Sequence, residues 1–537
     1  MIYINRFFFN ILNQLRKFYL NSKFYDKKIS KINNNNFIYK PSPHLLSSLI
    51  KYQKKKVKIE NFSVNEIWND NNISQKEYKS LNSFYWFFSL DLKSSKQTMQ
   101  SIISNWVNNN HKYNNKSWEF DLTAKRIISW LSCHNLTYEG GDSNYKNEFN
   151  KIIQKQTNHL INEINRSELL DDKLIGCASI ILVGLCYQGE KNYLSFASSL
   201  LKKISKLTLD NHGFPKSRSI KQLIFYLKYF ILIREWFKES QVNIPEHINE
   251  TIYYLGQGYA FFYKNSDNDF LFNGNNKSNN IDFDNYLERL GYKFKNDNQE
   301  FGGYLIFKNK KICLAMDVGS TPNFKYTKDY QSGTLSFEII SNGKKLITNC
   351  GYYKKNNSKL NQLSKSSAAQ NTLIIDDNSS CKFTKINNTY LVKKGLKIIK
   401  KNSIFNKSYW KINASHDGYF KKYNSIHERE IEFYPEKMSF IGTDKIIKKK
   451  SNYNYKFDIR FHVEPGVKLM KTQDNKTILI QLRDEGWKFT CDNHDINIDN
   501  GLYFGNKNSY TNNQNIFISG ISNNEIESVN WEIKKIQ

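Results

Sequence analysis

The amino-acid sequence predicts a two-part protein of the α+β class, in which a helical part precedes an antiparallel β part. Between about residues 60 and 265, apolar residues recur at helical spacing, as they do at Ile127, Ile128 and Leu131. After about residue 285, short apolar and β-branched runs are separated by turn residues such as Asn342-Gly343, a hairpin signal. The chain of 537 residues is also too long for one ordinary hydrophobic core.

The predicted elements follow one another in two blocks. Helices are expected near residues 76–92, 127–131, 152–164, 174–188, 193–207, 220–238 and 246–263, joined by short polar turns. Strands are expected at residues 304–307, 312–318, 334–340, 372–375, 411–415, 427–433, 457–463, 477–481 and 515–519. Short turns between long helices are typical of stacked antiparallel helices. Many short strands in succession are typical of an antiparallel sandwich.

The domain boundaries are placed where the period changes. Residues 1–60 carry lysine and asparagine runs and are predicted to form an irregular basic extension. Residues 61–275 are predicted to form the helical domain, and residues 285–537 the β-sandwich. Residues 267–280, rich in Asn, Asp, Ser and Gly, are interpreted as the connection between the two domains.

The charge balance points to a polyanionic partner. The formal net charge is +29, with 79 basic and 50 acidic residues. Such a charge fits nucleic acid, anionic lipid or acidic polysaccharide. Only ten of the basic residues are arginine, the residue that readers of phosphates and bases prefer, so no nucleic-acid partner is predicted. The abundance of Lys, Asn and Ile leaves a second interpretation open, a background composition set by AT-rich coding.

Other classes of protein are excluded by what the sequence lacks. No run of about 18 apolar residues is present, so no integral membrane segment is predicted. The seven cysteines are scattered and form no Cys-x-x-Cys pair, so neither a disulfide framework nor a zinc site is expected. The apolar run at residues 7–12 is interrupted by Asn10 and lacks a cleavage site, so no standard signal peptide is predicted. A peripheral amphipathic segment there stays an alternative.

Five segments carry a resemblance to a known family. They are Trp118–Trp130 (WEFDLTAKRIISW), Met316-Asp-Val-Gly319 with Gly333-Thr-Leu-Ser-Phe-Glu338, Ser367-Ala-Ala-Gln-Asn-Thr-Leu373, Ser415-His-Asp-Gly-Tyr419 with His427-Glu-Arg429, and Ile459-Arg-Phe-His462. Together, and in this order, they resemble the heparinase II/III family of polysaccharide lyases. The resemblance implies an incomplete (α/α) toroid followed by an antiparallel β-sandwich. It also implies an acidic polysaccharide as the partner and needs no organic cofactor. No metal site is predicted, because His416, His427, His462 and His494 are dispersed and match no zinc spacing.

The reaction that the resemblance implies is β-elimination at a uronic acid. A base removes the C5 proton, an acid protonates the leaving oxygen, and a preorganised donor meets the charge that develops on the carboxylate. The sequence departs from the family at two positions. Gln331 and Gln370 occupy places where lyase members commonly have histidine, and an amide cannot act as a base near neutral pH. Both glutamines, with Asn371 and Arg429, are predicted to bind substrate.

The remaining candidates for catalysis are His416, Tyr419, His427 and Arg218. A histidine beside Asp417 could serve as the base, Tyr419 could deliver a proton, and Arg218 could neutralise a carboxylate. Each has a structural alternative. The segment 416–419 reads equally as a tight turn. His427 and Arg429 are equally consistent with a structural or solvated pair on one face of a strand. Arg218 is equally consistent with an ordinary surface ion pair at the start of a helix.

The sequence therefore leaves two functional hypotheses. The first is a polysaccharide lyase-like enzyme that acts on the uronic acids of an acidic polysaccharide. The second is a protein of the same fold that binds an acidic glycan without catalysis. The resemblance implies a location in the periplasm or the cell envelope. The missing signal peptide and the scattered cysteines favour the cytoplasm as the alternative. The sequence predicts no oligomeric state.

Overall fold

The structure, a computed structural model, describes most of the chain. The described residues are 12–31, 37–49, 74–89, 96–188, 191–264, 269–278, 280–355, 358–386, 388–449, 454–506 and 509–536. The apolar run at residues 7–12 lies almost entirely outside them, as do the asparagine run at 33–36 and the lysine run at 54–56.

The chain divides into two compact units that do not follow one another simply in sequence. One unit, here called the helical unit, takes in residues 1–208, 226–253 and 280–292. The other, here called the β unit, takes in residues 209–225, 254–279 and 293–537. Two stretches that the sequence assigns to the helical block thus belong to the β unit.

Helices dominate the first half of the chain. Their bounds are α1 Lys23–Ile29, α2 Pro43–Leu49, α3 Gln75–Ser83, α4 Lys96–Asn110, α5 Phe120–Ser132, α6 His134–Thr137, α7 Ser143–Glu163, α8 Leu170–Cys186, α9 Lys191–Thr208, α10 Ile220–Glu239, α11 Glu246–Tyr259 and α12 Ile281–Arg289. Residues 12–20 are also helical. The first 60 residues, predicted to be irregular, therefore contain helices in their described part.

The core of the helical unit is lined by apolar residues at helical spacing. Helix α5 buries Ile127, Ile128 and Leu131 as its period predicts, and α8 is buried along nearly its whole length. Helix α5 also buries Arg126, whose guanidinium donates to Gln156 and to the carbonyl oxygens of Asn82 and Ser117. It lies 4.0 Å from the centroid of the Trp106 ring. Burial lowers the pKa of Arg126 to about 9.

The second half of the chain is almost entirely antiparallel β structure. The strands are β1 Glu300–Phe301, β2 Tyr304–Lys308, β3 Ile312–Asp317, β4 Phe337–Ser341, β5 Lys344–Ile347, β6 Leu373–Ile375, β7 Lys382–Ile386, β8 Thr389–Lys394, β9 Ile398–Phe405, β10 Trp410–His416, β11 Ser425–Tyr434, β12 Ser439–Lys448, β13 Tyr455–His462, β14 Lys468–Lys471, β15 Thr477–Leu482, β16 Glu485–Cys491, β17 Ile496–Tyr503, β18 Thr511–Ser522 and β19 Ile526–Lys535. Two short helices interrupt them, α13 Lys359–Lys365 and α14 Phe420–Tyr423.

The strands form layered sheets around one core. A five-stranded sheet runs β1-β2-β3-β4-β5, an eight-stranded sheet β14-β15-β16-β19-β12-β11-β10-β9, and a four-stranded sheet β17-β18-β13-β6. Strand β11 buries every second residue, as a strand with one core-facing side must. Phe337, Phe461 and Trp531 come from the three sheets and pack together, with Phe337 stacked on Trp531 at 5.5 Å. The predicted order of helices followed by antiparallel strands is confirmed.

Candidate functional site

Arg218 is held in a backbone cradle within the β unit. It lies in the turn before α10 and has a φ of 60°, a conformation that costs a non-glycine residue energy. Its guanidinium donates to the carbonyl oxygens of Gly302, Gly303 and Gly319, at 3.3, 2.9 and 3.1 Å. It also donates to Asp317 Oδ1 at 2.6 Å. Only 8% of the residue is exposed, so the interpretation of a surface ion pair is wrong.

The charge of Arg218 is matched by its neighbours. Burial alone would lower the pKa of the guanidinium, but the carboxylate of Asp317 more than offsets this and raises the pKa above its ordinary value. The Tyr304 ring centroid lies 4.7 Å from Arg218 Cζ, and the Tyr304 hydroxyl donates to the Arg218 carbonyl oxygen. Arg218 is therefore a permanent cation with a fixed orientation.

Glycine is required around this cradle because the guanidinium fills the space where side chains would stand. A Cβ at Gly319 would lie 2.2 Å from Arg218 Cζ, and one at Gly303 would lie 3.0 Å from Arg218 Nη2. Gly302 and Gly303 also have positive φ values of 59° and 80°. The sequence segment Met316-Asp-Val-Gly319 thus supplies both the carboxylate and one of the carbonyl groups that hold Arg218.

Gly319→Ala is expected to release Arg218 and to destabilise the β unit by about 2–4 kcal/mol. The added methyl group excludes the guanidinium, which leaves the buried Asp317 carboxylate without its cation. Urea denaturation followed by fluorescence measures the change. In an Arg218→Met background, Gly319→Ala is expected to cost much less, since the clash is gone. Equal costs in the two backgrounds would contradict the cradle.

Asn273 joins Arg218 to Gln331. Its amide donates to Tyr304 Oη at 2.6 Å and to Asp317 Oδ2 at 3.0 Å, and its Oδ1 accepts the Gln331 backbone N–H at 3.2 Å. Asn273 lies in the stretch that the sequence interprets as an inter-domain connection, yet it is buried in the β unit. Sequence reasoning missed it; the signal was the apolar run Phe270–Phe272 directly before it.

Gln331 and Gln370, which occupy the usual histidine positions, donate hydrogen bonds to the same backbone oxygen. Gln331 Nε2 donates to the carbonyl oxygen of Ser364 at 2.6 Å and to that of Gly351 at 2.9 Å. Gln370 Nε2 donates to the same Ser364 oxygen at 3.3 Å. The Gln331 Oε1 accepts the Gly274 N–H. The structure therefore brings the two positions together, but both side chains are buried and bonded to backbone.

A second network is built around Asp444. Arg429 donates to both carboxylate oxygens, from Nε at 2.7 Å and from Nη2 at 3.0 Å. His427 Nε2 lies 2.7 Å from Oδ1, and Trp531 Nε1 donates to Oδ2 at 2.9 Å. Arg429 Nη1 also donates to the carbonyl oxygens of Leu335 and Asn371. All these side chains are buried.

Asp444 is a residue that sequence reasoning missed, although a signal was present. Strand β12 alternates, and Phe440, Gly442 and Ile446 share the inward side with Asp444. An acidic residue at an inward position of an alternating strand predicts a buried cation opposite. Burial alone would raise the pKa of Asp444, but Arg429 and His427 more than offset this and lower the pKa below its ordinary value.

His416 and Tyr419 lie beside this network. The His416 ring centroid is 5.2 Å from that of His427 and 5.9 Å from that of Tyr419. His416 Nδ1 accepts the Gly418 N–H at 3.0 Å, and the Tyr419 hydroxyl donates to the Leu373 carbonyl oxygen at 2.6 Å. Strand β10 ends at His416, and α14 begins at Phe420, which gives the tight turn that was the alternative interpretation of 416–419.

Burial lowers the pKa of both His416 and His427, because the charged imidazolium loses its hydration. Repulsion from His427 adds to the effect at His416, and Asp444 only partly offsets it at His427. Both imidazoles are neutral near pH 7. Burial likewise raises the pKa of the Tyr419 hydroxyl. In this conformation His416, Tyr419 and His427 bond to protein groups and have at most 2% of their surface exposed.

The side chain of Asn371 is also hydrogen-bonded to backbone groups of the protein. Its amide donates to the Phe337 carbonyl oxygen at 2.8 Å, and its Oδ1 accepts the His462 N–H at 2.6 Å. Its carbonyl oxygen accepts from Arg429, as described above. The predicted site residues thus form two groups within the β unit, one around Asp317 and Ser364 and one around Asp444.

A cavity of about 410 Å³ lies beside Arg218 in the β unit. Its size falls in the range of sites for small molecules. The lining residues are Asp210, Phe214, Pro215, Lys216, Arg218, Gly302, Gly303, Gly319, Ser320, Asn323 and Tyr326. Lys216 and Arg218 supply positive charge, and Ser320, Asn323 and Tyr326 supply hydroxyl and amide groups. Asp210 Oδ1 accepts the N–H groups of His212 and Phe214.

Neither a metal centre nor a membrane-spanning helix is found in the described ranges. In these ranges, no group of three or more His, Cys, Asp or Glu side chains is arranged to hold a metal ion. None of the helices described is both long enough and apolar enough to span a bilayer.

Comparison with known proteins finds a family match over the second half of the chain. Residues 298–532 match the family described as "Heparinase II/III-like, C-terminal". The match lies in the β part of the chain, and the resemblance to the heparinase II/III family found in the sequence motifs is confirmed. No curated protein matches the chain.

Solved structures show the same fold over the whole chain. A crystal structure of heparinase III is 14% identical, with a TM-score of 0.69, and the match covers 92% of this chain and 84% of that one. The heparan sulfate lyase HepC from Pedobacter heparinus is 11% identical, with a TM-score of 0.65, and the match covers 95% and 87%. The predicted fold, an incomplete (α/α) toroid followed by an antiparallel β-sandwich, is confirmed.

Proposed function

We propose that this polysaccharide lyase-like protein binds an acidic, uronic-acid-containing polysaccharide in the cavity beside Arg218. One observation carries the proposal: the cavity combines two cations, Lys216 and Arg218, with Ser320, Asn323 and Tyr326. Cations bind the carboxylate of a uronic acid, hydroxyl and amide groups bind its hydroxyls, and an aromatic ring packs against its apolar face. One of the solved structures named above, HepC, is a heparan sulfate lyase.

The two cations would have different roles. Arg218 is fixed by the cradle and by Asp317, so it contributes a positive field and a rigid wall. Lys216 lines the same cavity, and its compact ammonium charge suits a carboxylate. Lys216 therefore contributes more to the affinity for the ligand, and Arg218 contributes more to the shape of the site.

Binding without elimination is the form of this function that the geometry favours. The predicted base, His416 or His427, and the predicted acid, Tyr419, are buried and bonded within the protein. Gln331 and Gln370, at the usual histidine positions, are bonded to the Ser364 carbonyl oxygen. None of these groups lines the cavity. The proton transfers that β-elimination needs have no donor or acceptor among them at the bound sugar.

A second candidate function, β-elimination, is favoured by one observation. The Tyr326 phenol lies in the same cavity as Lys216 and Arg218, where a tyrosine could exchange a proton with a sugar. Lys216 and Arg218 would then offset the charge that develops on the carboxylate. In this form of the mechanism Tyr326 replaces His416, His427 and Tyr419 as the catalytic group.

The binding proposal is tested with purified protein and four polymers, heparan sulfate, hyaluronan, alginate and polygalacturonate. Calorimetric titration is expected to detect binding of at least one. Lys216→Gln is expected to weaken that binding about fivefold, since it removes one partly exposed ion pair. Lys310→Gln removes an exposed lysine away from the cavity and is expected to leave affinity unchanged. Equal affinity in wild type and Lys216→Gln would contradict this site.

The ultraviolet absorbance of the C4–C5 double bond separates the two candidates in the same samples. Binding without an absorbance change is the expected result. An absorbance change lost in Tyr326→Phe would establish elimination at the cavity. A change lost in His416→Ala or His427→Ala instead would restore the residues predicted from the sequence. We also propose the periplasm or the cell envelope as the location, where such polymers occur.

A further inference from the structure

Strands β7 and β8 form a two-stranded hairpin with an unusual concentration of positive charge. Lys382, Lys385, Lys393 and Lys394 are all exposed. Lys382 and Lys394 are directly opposite in the pairing register. Residues 382–397 contain neither aspartate nor glutamate. Like charges opposite each other on a hairpin destabilise it, so this arrangement costs the fold some stability.

The lysines of the hairpin differ from those of the neighbouring sheet. Lys400, Lys401, Lys411 and Lys445 each pair with a glutamate. For the four lysines of the hairpin, the described part of the chain offers no carboxylate within 4.0 Å. The charge of these four sheet lysines is paired within the protein, whereas the charge of the four hairpin lysines can pair with a partner.

The hairpin is attached to the segment that lines the cavity. The Thr327 hydroxyl accepts the Val392 N–H at 3.0 Å, and the Thr321 hydroxyl accepts the Leu396 N–H at 3.0 Å. The buried Lys365 Nζ donates to the Tyr390 carbonyl oxygen at 2.7 Å. Asn323 and Tyr326, which line the cavity, lie between the two threonines in sequence. The position of the hairpin relative to the cavity is therefore fixed by hydrogen bonds.

A short helix, Phe324–Tyr326, connects the two features. Lys325 Nζ lies 4.9 Å from the centroid of the Tyr326 ring, and Phe324 is 44% exposed. Positive charge and exposed aromatic surface thus continue from the cavity toward the hairpin. This combination suits a chain with anionic groups and apolar ring faces.

We infer that the β7–β8 hairpin and Lys325 form a basic track that binds the polyanionic chain beyond the unit held in the cavity. The inference rests on the proposed function and deepens it: the ligand is a polymer of several charged units, not a single sugar. A strand of five or six residues is about 17–20 Å long, which is enough to contact more than one unit. The hairpin contains lysine but no arginine, which favours a carboxylated or sulfated glycan over nucleic acid.

The test compares long chains and tetrasaccharides of the four polymers named above. The hairpin variant carries Lys382→Gln, Lys385→Gln, Lys393→Gln and Lys394→Gln. The control variant carries the same charge change at four exposed lysines of the helical unit, Lys112, Lys116, Lys202 and Lys203. The hairpin variant is expected to bind the long chain about tenfold more weakly, from four exposed ion pairs. It is expected to bind the tetrasaccharide as the wild type does.

Other results would overturn the track. An equal loss in the control variant would mean that net charge alone attracts the chain. An equal loss for the tetrasaccharide would place the hairpin inside the cavity site. If double-stranded DNA bound more tightly than the glycans, and this binding depended on the hairpin, the partner of the track would be nucleic acid and not a glycan. If the wild type binds none of the four polymers at either length, the proposed function fails and the track fails with it. If binding depends on Lys216 but not on the hairpin, only the track fails.

Discussion

Asp444→Asn is expected to lower the free energy of unfolding by about 3–5 kcal/mol. The substitution keeps the shape of the side chain but removes its charge. The buried Arg429 guanidinium then loses the carboxylate that pairs with it. One amide also cannot accept all the bonds that Arg429, His427 and Trp531 now donate. Urea denaturation, followed by fluorescence and circular dichroism, measures the loss.

Asp484→Asn is the matched control for this prediction. Asp484 pairs with Lys344 at 3.0 Å, but 89% of its side chain is exposed. Its replacement is expected to change the free energy of unfolding by about 0.5 kcal/mol or less. Where Asp444→Asn does not fold, Trp531→Phe removes only one of the bonds to Asp444 and is expected to cost less. Wild-type stability in Asp444→Asn would refute a structural role for this network.

Lowering the pH from 7 to 5 is expected to destabilise the protein by about 4 kcal/mol through two buried histidines alone. Burial lowers the pKa of His159 and of His462 to about 3, whereas an unfolded histidine titrates near 6.5. At pH values between about 3 and 6.5, the unfolded chain binds protons at these histidines that the folded chain does not bind. These histidines therefore do not lower the free energy of unfolding above pH 6.5. Below pH 6.5, each of them lowers it by about 1.4 kcal/mol per pH unit.

The groups of the Asp444 network act in the same direction or not at all in this window. His416 and His427 also have lowered pKa values and add to the loss. Asp444 contributes stability above its ordinary pKa, and this is lost only as the pH falls through its lowered folded value, so it does not change between pH 7 and 5. Near His462, Arg460 lowers the pKa further and Asp499 opposes this. The Nδ1 atoms of His427 and His462 have no partner in the structure described, so neither has an acceptor ready for an added proton.

His462→Gln tests this account. It is expected to reduce the slope of stability against pH by about 1.4 kcal/mol per pH unit below pH 6.5, whatever its effect on stability at pH 7. His159→Gln serves the same purpose in the helical unit if His462→Gln does not fold. His212→Gln, at an exposed histidine, is expected to leave the slope unchanged. An unaltered slope in both buried-histidine variants would show that other groups cause the acid sensitivity.

The fold was predictable from local patterns because burial is periodic. The predicted strand 304–307 is observed as Tyr304–Lys308, and 457–463 as Tyr455–His462. In the first helical block, the apolar spacing of α5 identified its buried side. These features depend on neighbours a few residues apart, which the sequence displays directly.

The site was less predictable because it joins residues that are distant in sequence. Arg218 and Asp317 are 99 positions apart, and nothing near either one indicates the other. Gln331 and Gln370 were identified through the family resemblance, but their shared acceptor, the Ser364 carbonyl oxygen, is a backbone atom with no signature. The functional prediction for His416 and His427 came from residue type and from the family segment that contains them. Their burial follows from the core-facing positions that they occupy on β10 and β11.

The discontinuous make-up of the β unit bears on how such a protein can evolve. Arg218 and Asn273 are contributed by residues 209–225 and 254–279, while Asp317 and Gln331 belong to the part that begins at residue 293. A gene fragment encoding only the last part would carry a buried carboxylate without its cation. The family match that begins at residue 298 is thus shorter than the compact unit in which Arg218, Asn273 and Asp317 meet.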